Sequence, residues 1–326
     1  GVPKGYLDVS AWERILSDLV AGGHEFDHVI FQWLGDPLLH PEIDRLIGLA
    51  GKKLAGRTRY LRMDTNGILL DSRRIDALLD CGTGNSPPLL IVFSVDAAAA
   101  ETYSRVKGRS HFDRVQRNIR ELVRKRKRRG SGCRVNLQLQ FVVQEGNAGE
   151  TGAFLDYWSD LLGCQGGGWH DEVMFKRLSV DGGAEGQAAA DELYASSVFG
   201  KGIRGGERRG VQVRVWEQRP WQRDDGHDGG RTACPGLWMT PVIRHDGALM
   251  MCCADLRGEL ELGSLEESSF DELWYGEKAT SHRRDHLGGL FKGPCRSCGG
   301  INWYSLTEER ILGAFEKAGA QAASSR

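Results

Sequence analysis

Eight cysteines lie in the 326 residues: Cys81, Cys133, Cys164, Cys234, Cys252, Cys253, Cys295 and Cys298. Four of them are spaced for chemistry. Cys234 is followed by twelve residues, then Gly247, four more and Cys252; far downstream comes Cys295-Arg296-Ser297-Cys298. A C-x-x-C turn offers two thiolates to one centre. Cys252 ends the second strand of a hairpin expected to turn at Asp246-Gly247, and Cys234 precedes its first strand. Antiparallel pairing brings the two within about 5 Å. Four thiolates then converge, a donor set that holds either zinc or an iron–sulfur cluster. A chain of this size needs no disulfide staples, so clustered cysteines point to metal in a reducing compartment. Cys253 is expected on the opposite strand face, as packing. Cys81, Cys133 and Cys164 read as core residues.

The elements that must position these groups alternate along the first half. Helical stripes follow at Trp12, Ile15, Leu16 and Leu19, behind a Ser10–Glu13 capping box, and at Ile43, Leu46, Ile47 and Ala50 behind Pro41. Further stripes run through Ile75, Leu78 and Leu79, capped by Asp71 and stopped by Gly82, through 112–123, and through 154–162. Apolar strand runs are expected at 28–34, 60–65, 89–96, 134–143 and 172–180. Five α-β repeats imply a parallel sheet with right-handed crossovers. In the fourth strand Val135, Leu137, Leu139 and Phe141 share one face and Asn136, Gln138 and Gln140 the other. A polar inner face favours a partial (β/α) barrel with a polar ligand in its lumen over an open sheet with two apolar faces.

The fold class is therefore α/β, a partial barrel of parallel strands followed by a small C-terminal α+β unit of hairpin plus helix. The expected organisation is 1–185 for the barrel, 186–231 for a glycine-rich connector with one helix, 232–305 for the cysteine unit and 306–326 for a terminal helix and tail. Phe270, Leu273 and Trp274 follow a second capping box, Ser269–Glu272.

Composition narrows the function. Lys+Arg is 43 against Asp+Glu 44, a net charge of -1, which argues against a dedicated nucleic-acid or membrane-surface binder. No apolar run approaches the roughly 20 residues of a membrane span. The basic run 124–129 ends a helix, where dipole complementation and solvation account for it. His282 and His286, four apart, lack the glutamate of an H-E-x-x-H site and are expected at the surface.

With these residues placed, the chain resembles a radical S-adenosylmethionine (SAM) enzyme with a C-terminal SPASM/twitch domain. Cys234, Gly247, Cys252, Cys295 and Cys298 match that domain's C-x(9–15)-G-x4-C and distant C-x-x-C, with Leu262-Gly263-Ser264-Leu265 and Phe270-Asp271-Glu272-Leu273-Trp274 matching its surroundings. No cysteine follows Cys298, as in the twitch form with one auxiliary [4Fe-4S] cluster. Gly35-Asp36-Pro37 resembles the family's G-E-P turn, with Asp for Glu; Thr65-Asn66-Gly67 its T-N-G; Ser94-Val95-Asp96-Ala97 its S-x-D-A; and Glu101-Thr102-Tyr103 through Lys107-Gly108 its E-T-Y…R-G, with Lys for Arg.

The resemblance implies SAM bound by Gly35, Asp36, Pro37, Thr65, Asn66, Ser94 and Asp96, with Lys107 on its carboxylate. Gln140 and Gln138 would orient it or the substrate from the lumen. It also implies a 5′-deoxyadenosyl radical that abstracts hydrogen from a peptide, a sugar-like molecule or a cofactor precursor, in the cytoplasm, with flavodoxin or ferredoxin as electron donor. No catalytic residue is assigned. The family's C-x3-C-x2-C for the radical-generating [4Fe-4S] cluster is missing from these residues. It belongs just before 1–7, so we expect an N-terminal truncation; that second cluster forms only where the motif is present, and the chain as it stands is inactive. The competing readings are a non-catalytic iron–sulfur protein and a structural zinc protein.

Overall fold

Runs rich in Val, Ile, Leu and Phe pair side by side because each has a crossover helix to cover one face. In chain order the elements are α1 (Val9–Ala21), β1 (Phe26–Ile30), α2 (Ile43–Lys53), β2 (Thr58–Thr65), α3 (Ser72–Cys81), β3 (Leu89–Ser94), α4 (Ala100–Lys107), α5 (Phe112–Arg129), β4 (Val135–Val143), α6 (Thr151–Leu161), β5 (Glu172–Arg177), α7 (Gly183–Val198), β6 (Gly206–Arg208) and β7 (Val211–Val215). There follow α8 (Gly236–Met239), β8 (Val242–Ile243), β9 (Ala248–Met250), β10 (Glu261–Ser264), α9 (Phe270–Trp274), α10 (Glu277–Leu287) and α11 (Glu308–Ser324). This computed structural model describes residues 4–162, 170–179, 183–216, 233–296, 298, 300 and 306–324. Cys164, Val180 and Ser297 lie outside them.

The chain divides into two units, Glu25–Glu217 and the pair of segments Gly1–His24 and Gln218–Arg326. The first holds a seven-stranded sheet in the order β1-β2-β3-β4-β5-β7-β6. Its first six strands are parallel and β6 returns antiparallel to β7. Segments expected as connector thus supply α7 and two strands; the alternation Val211, Val213, Val215 was the signal, masked by its glycine-rich flanks. β1 lies two to four residues earlier than its apolar run: the Phe31 N–H makes a last bond to the Arg62 carbonyl (2.8 Å), and Gln32 to Leu34 continue into the turn that carries Asp36.

Register settles which side chains share a face. Arg62 stands opposite Leu90, which stands opposite Asn136; Asp64, Val92, Gln138, Glu172 and Gln212 form the next row, and Ser94, Gln140, Met174 and Arg214 the row above it. The polar face therefore runs from β2 to β7, interrupted by Leu90, Val92 and Met174. The other face, with Leu61, Met63, Ile91, Phe93, Leu137, Leu139, Phe141, Val173 and Phe175, is fully buried and makes the core. Phe141, Phe154 and Phe175 meet there with ring centroids 4.9–6.1 Å apart.

The basic run does not simply solvate a helix end. Lys125 reaches Ser72 and Asp76, Arg129 pairs with Asp80, and Arg126 is wholly buried on Asp171. Arg126 follows Val115, Ile119, Leu122 and Val123 at helical spacing, so the backbone aims it inward.

In the second unit α1 is capped by Asp8, not Ser10: the Asp8 carboxylate accepts from the Ser10 and Ala11 N–H groups (2.9 and 3.0 Å). The unit also closes locally on α9. Phe270 N–H donates to Asp18 (2.6 Å), His24 pairs with Asp271 (2.9 Å), and the Ser269–Glu272 capping box forms as expected. The hairpin β8–β9 turns at Gly247 (φ +77), and β10 adds a third antiparallel strand. His286 is buried edge-on to Phe291 and burial pushes the His282 pKa down, so this helical pair is not a surface feature.

Candidate radical and cluster sites

Loops at the C-terminal strand ends converge on Asp36. Gly35 (φ +114) turns the chain after β1, and Asp36 caps the short turn Pro37–Leu39 through the Leu38 N–H (2.9 Å). The Thr65 hydroxyl lies 2.9 Å from either carboxylate oxygen, and the Asn66 N–H donates to Oδ2 (2.8 Å). Thr65 in turn accepts from the Gly67 N–H (3.0 Å), Asn66 from the Ile68 N–H (2.9 Å), and Asn118 holds the Gly67 carbonyl (2.8 Å). The short Asp side chain thus braces the first two loops to each other.

Beyond β3, Asp96 sits at φ +57 and is buried. Its carboxylate accepts from the Val142 N–H (2.7 Å) and pairs with Lys107. Its carbonyl accepts from Asn147 (2.8 Å), and the Val95 and Asp96 N–H groups both lie on the Gln140 carbonyl (3.3 Å). Ser94 stands opposite Gln140. Lys107 is therefore held by Asp96. Glu150, not singled out from the sequence, accepts from Ala98, Ala99 and Thr102 and closes the start of α4.

The polar face adds groups the sequence reading passed over. Arg62 makes a two-pronged pair with Asp64 (2.6 and 2.7 Å), Gln138 reaches Glu172, and Lys176 lies one row above Gln140. Burial, then the Arg62 charge, pushes the Lys176 pKa down. The signal was the alternation Tyr60, Arg62, Asp64 and Glu172, Met174, Lys176.

In the second unit Cys234, Cys252, Cys295 and Cys298 line one small, partly open cavity, walled otherwise by Leu237, Leu260, Pro294, Asp255 and neighbouring backbone. Three of the sulfurs accept a backbone N–H from two residues on: Cys234 from Gly236, Cys252 from Ala254 and Cys298 from Gly300, each 3.4 Å. Turns of that kind present a thiolate outward while stabilising its charge. Among the described residues no three ligand-type side chains converge tightly enough to clasp a single ion; the sulfurs stand around the cavity wall. An all-sulfur donor set in an apolar wall fits an iron–sulfur cluster. Asp255 fixes the loop after Cys252, taking the N–H groups of Arg257, Gly258, Glu259 and Leu260 (2.6–3.3 Å).

Cys253 departs from its expected packing role. β9 ends at Met250, so strand alternation no longer sets its direction. Its thiol hydrogen-bonds with that of Cys252 and feels Cys298 and Cys234. Cys133 is buried as expected, whereas Cys81 is half-buried against the Asp44 carbonyl.

Residues 3–136 match the Radical SAM superfamily and residues 234–299 the iron–sulfur cluster-binding SPASM domain. The chain therefore carries a radical SAM domain and a SPASM domain. The matched domains bring S-adenosylmethionine and [4Fe-4S] as cofactors, the C-terminal one an auxiliary cluster. A GTP 3′,8-cyclase of Chlorobaculum tepidum is 32% identical over 89 residues, 27% of this chain. That stretch is 24% of the cyclase, so the match spans about a quarter of the curated relative. Native anSMEcpe with bound AdoMet aligns at a TM-score of 0.56 and 16% identity, covering 99% of this chain and 90% of that one. Native anSMEcpe with bound AdoMet and Kp18Cys peptide gives 0.55 at 16%, covering 98% and 90%. At that identity the likeness is one of fold: a parallel α/β sheet followed by a small antiparallel one.

Proposed function

We propose that this chain is the SAM-binding and auxiliary-cluster portion of an enzyme that oxidises or otherwise modifies a peptide or small molecule by hydrogen abstraction. The observation that carries the reading is the ring of four cysteines around one cavity, in a chain whose Asp36, Thr65-Asn66 and Ser94–Asp96 loops meet at the C-terminal ends of a parallel sheet. When bound and reduced, the cofactors supply a 5′-deoxyadenosyl radical. The chain's own residues do the rest. Gly35, Asp36, Pro37, Thr65 and Asn66 shape a loop floor for the methionine end of SAM, and Ser94, Asp96, Lys107 and Gln140 form the adjoining wall. Gln138, Arg62, Asp64 and Lys176 present polar groups to SAM or substrate across the lumen. The match to an iron–sulfur domain disfavours the zinc alternative.

The radical-generating cluster requires C-x3-C-x2-C, which these residues do not contain. Turnover therefore belongs to a polypeptide that supplies it, with a flavodoxin- or ferredoxin-type donor, and we place it in the cytoplasm. No helix of the described residues is long and apolar enough to cross a membrane.

Anaerobic reconstitution tests the reading. About four irons and four sulfides per chain at the C-terminal site, with saturable SAM binding, are expected; one zinc and no sulfide, or no SAM binding, overturns it. Asp36→Ala is expected to weaken SAM binding at least about tenfold by equilibrium dialysis. It unties the Leu38, Thr65 and Asn66 contacts, at roughly 1–3 kcal/mol of stability.

A further inference from the structure

Arg283, in α10, is 1% exposed. Its Nε donates to the Leu237 carbonyl (3.0 Å) and its Nη1 to the Trp274 carbonyl (2.6 Å). The Trp274 ring lies 4.7 Å from the guanidinium carbon, and the Trp238 and Tyr275 rings 5.9 Å from it. Nη2 is buried with no hydrogen-bond partner, and no carboxylate pairs with this residue among the described residues. Burial pushes its pKa down to about 10, so it is still charged near neutrality. An unpaired buried charge is costly, and a purely structural position would be filled better by an apolar side chain.

Leu237, whose carbonyl takes Nε, is itself on the wall of the four-cysteine cavity, and α8 begins two residues after Cys234. The carboxylate on that wall, Asp255, is already occupied by four backbone N–H groups. The geometry points to Arg283 as the internal counter-ion of the auxiliary cluster, a positioning residue that sets the cluster's reduction potential across Leu237. A [4Fe-4S] cube with four thiolates is a dianion, and one added electron makes it a trianion. A fixed cation in a dry wall favours the trianion more, so Arg283 raises the potential. The inference rests on the four cysteines holding that cluster.

The test is an EPR-monitored redox titration of reconstituted wild type, Arg283→Gln, Arg283→Met and Arg283→Lys, with dithionite supplying the electron and iron content measured first. In the Gln and Met variants the reduced-to-oxidised ratio at a fixed ambient potential should fall at least about tenfold, which is 59 mV for a one-electron couple. Arg283→Lys should stay within about threefold of wild type. Loaded Gln or Met variants within about threefold of wild type overturn the inference and leave the cluster reading standing. A wild type that binds no iron overturns the reading instead. Should neither neutral variant fold, the Lys variant decides. Its buried ammonium loses its proton before a guanidinium would, so its potential must fall more steeply with pH than that of wild type. Parallel slopes overturn the inference; Tyr275, the titratable side chain packed on this position, is common to both and cancels.

Discussion

Cys298→Ala will strip the second unit of its iron, dropping bound iron and sulfide at least about tenfold after anaerobic reconstitution and desalting. A thiolate of a four-sulfur site contributes both a bond and part of the charge that holds the metal, and nothing in an alanine replaces either. Cys252→Ala should behave differently. Cys253 adjoins it, already hydrogen-bonds with its thiol and lies within electrostatic reach of Cys234 and Cys298. We expect this variant to retain a fraction of its iron in a chelator-labile form, and Cys252→Ala combined with Cys253→Ala to fall to the level of Cys298→Ala. Cys81→Ala is the control. Its thiol sits on the Asp44 carbonyl (3.4 Å) in the other unit, and its loss should leave iron content unchanged. Equal, complete loss in Cys252→Ala and Cys298→Ala would show that Cys253 takes no part. Full retention in Cys298→Ala would remove it from the ligand set.

Local pattern carried the parts of this fold that depend on neighbours in sequence. The spacing of Cys234, Gly247 and Cys252 located the hairpin because a turn at Asp246-Gly247 fixes what stands opposite what, and Arg244 clasps Asp246 there (2.6–3.0 Å). The alternation in β4 identified a polar face because strand geometry leaves no other place for Asn136, Gln138 and Gln140. Ser10 was misread as a cap because a cap is chosen by which oxygen reaches the free N–H groups, and Asp8 reaches them first. The grouping of α1 with α9 was invisible, since the Asp18–Phe270 bond joins residues 252 apart. Arg283 left no trace either: one arginine in a short polar helix reads as solvent-exposed until three rings and two carbonyls are seen around it. Arg126 was legible in principle, because its place in the helical stripe outweighs the charge run around it.

That arginine carries the largest expected effect on the first unit. Arg126 and Asp171 are both completely buried, joined by two parallel bonds (2.6 and 2.5 Å). Nη1 also donates to the Val135 carbonyl (2.9 Å), and Asp171 accepts the Leu137 N–H (2.9 Å). The pair therefore ties α5 to β4 and to the residue that precedes β5, at the N-terminal end of the sheet. Asp171→Asn leaves a buried guanidinium without its counter-charge, and about 3–5 kcal/mol of stability should be lost. For a unit of this size that corresponds to a fall in Tm of roughly 10 °C, read by thermal unfolding. Arg126→Met strands the carboxylate and should cost a similar amount. The double variant Arg126→Met with Asp171→Leu removes both charges together. Its remaining loss comes from the Val135 carbonyl and Leu137 N–H left without partners, about 1–3 kcal/mol each. It should therefore lose clearly less than the sum of the two single variants; additive losses would mean that the two charges do not act as a pair. Because the pair lies at the opposite end of the strands from Asp36, Thr65 and Asp96, SAM affinity measured well below the lowered Tm should match wild type. A loss of affinity in the folded variants would show that the two ends of the sheet are coupled.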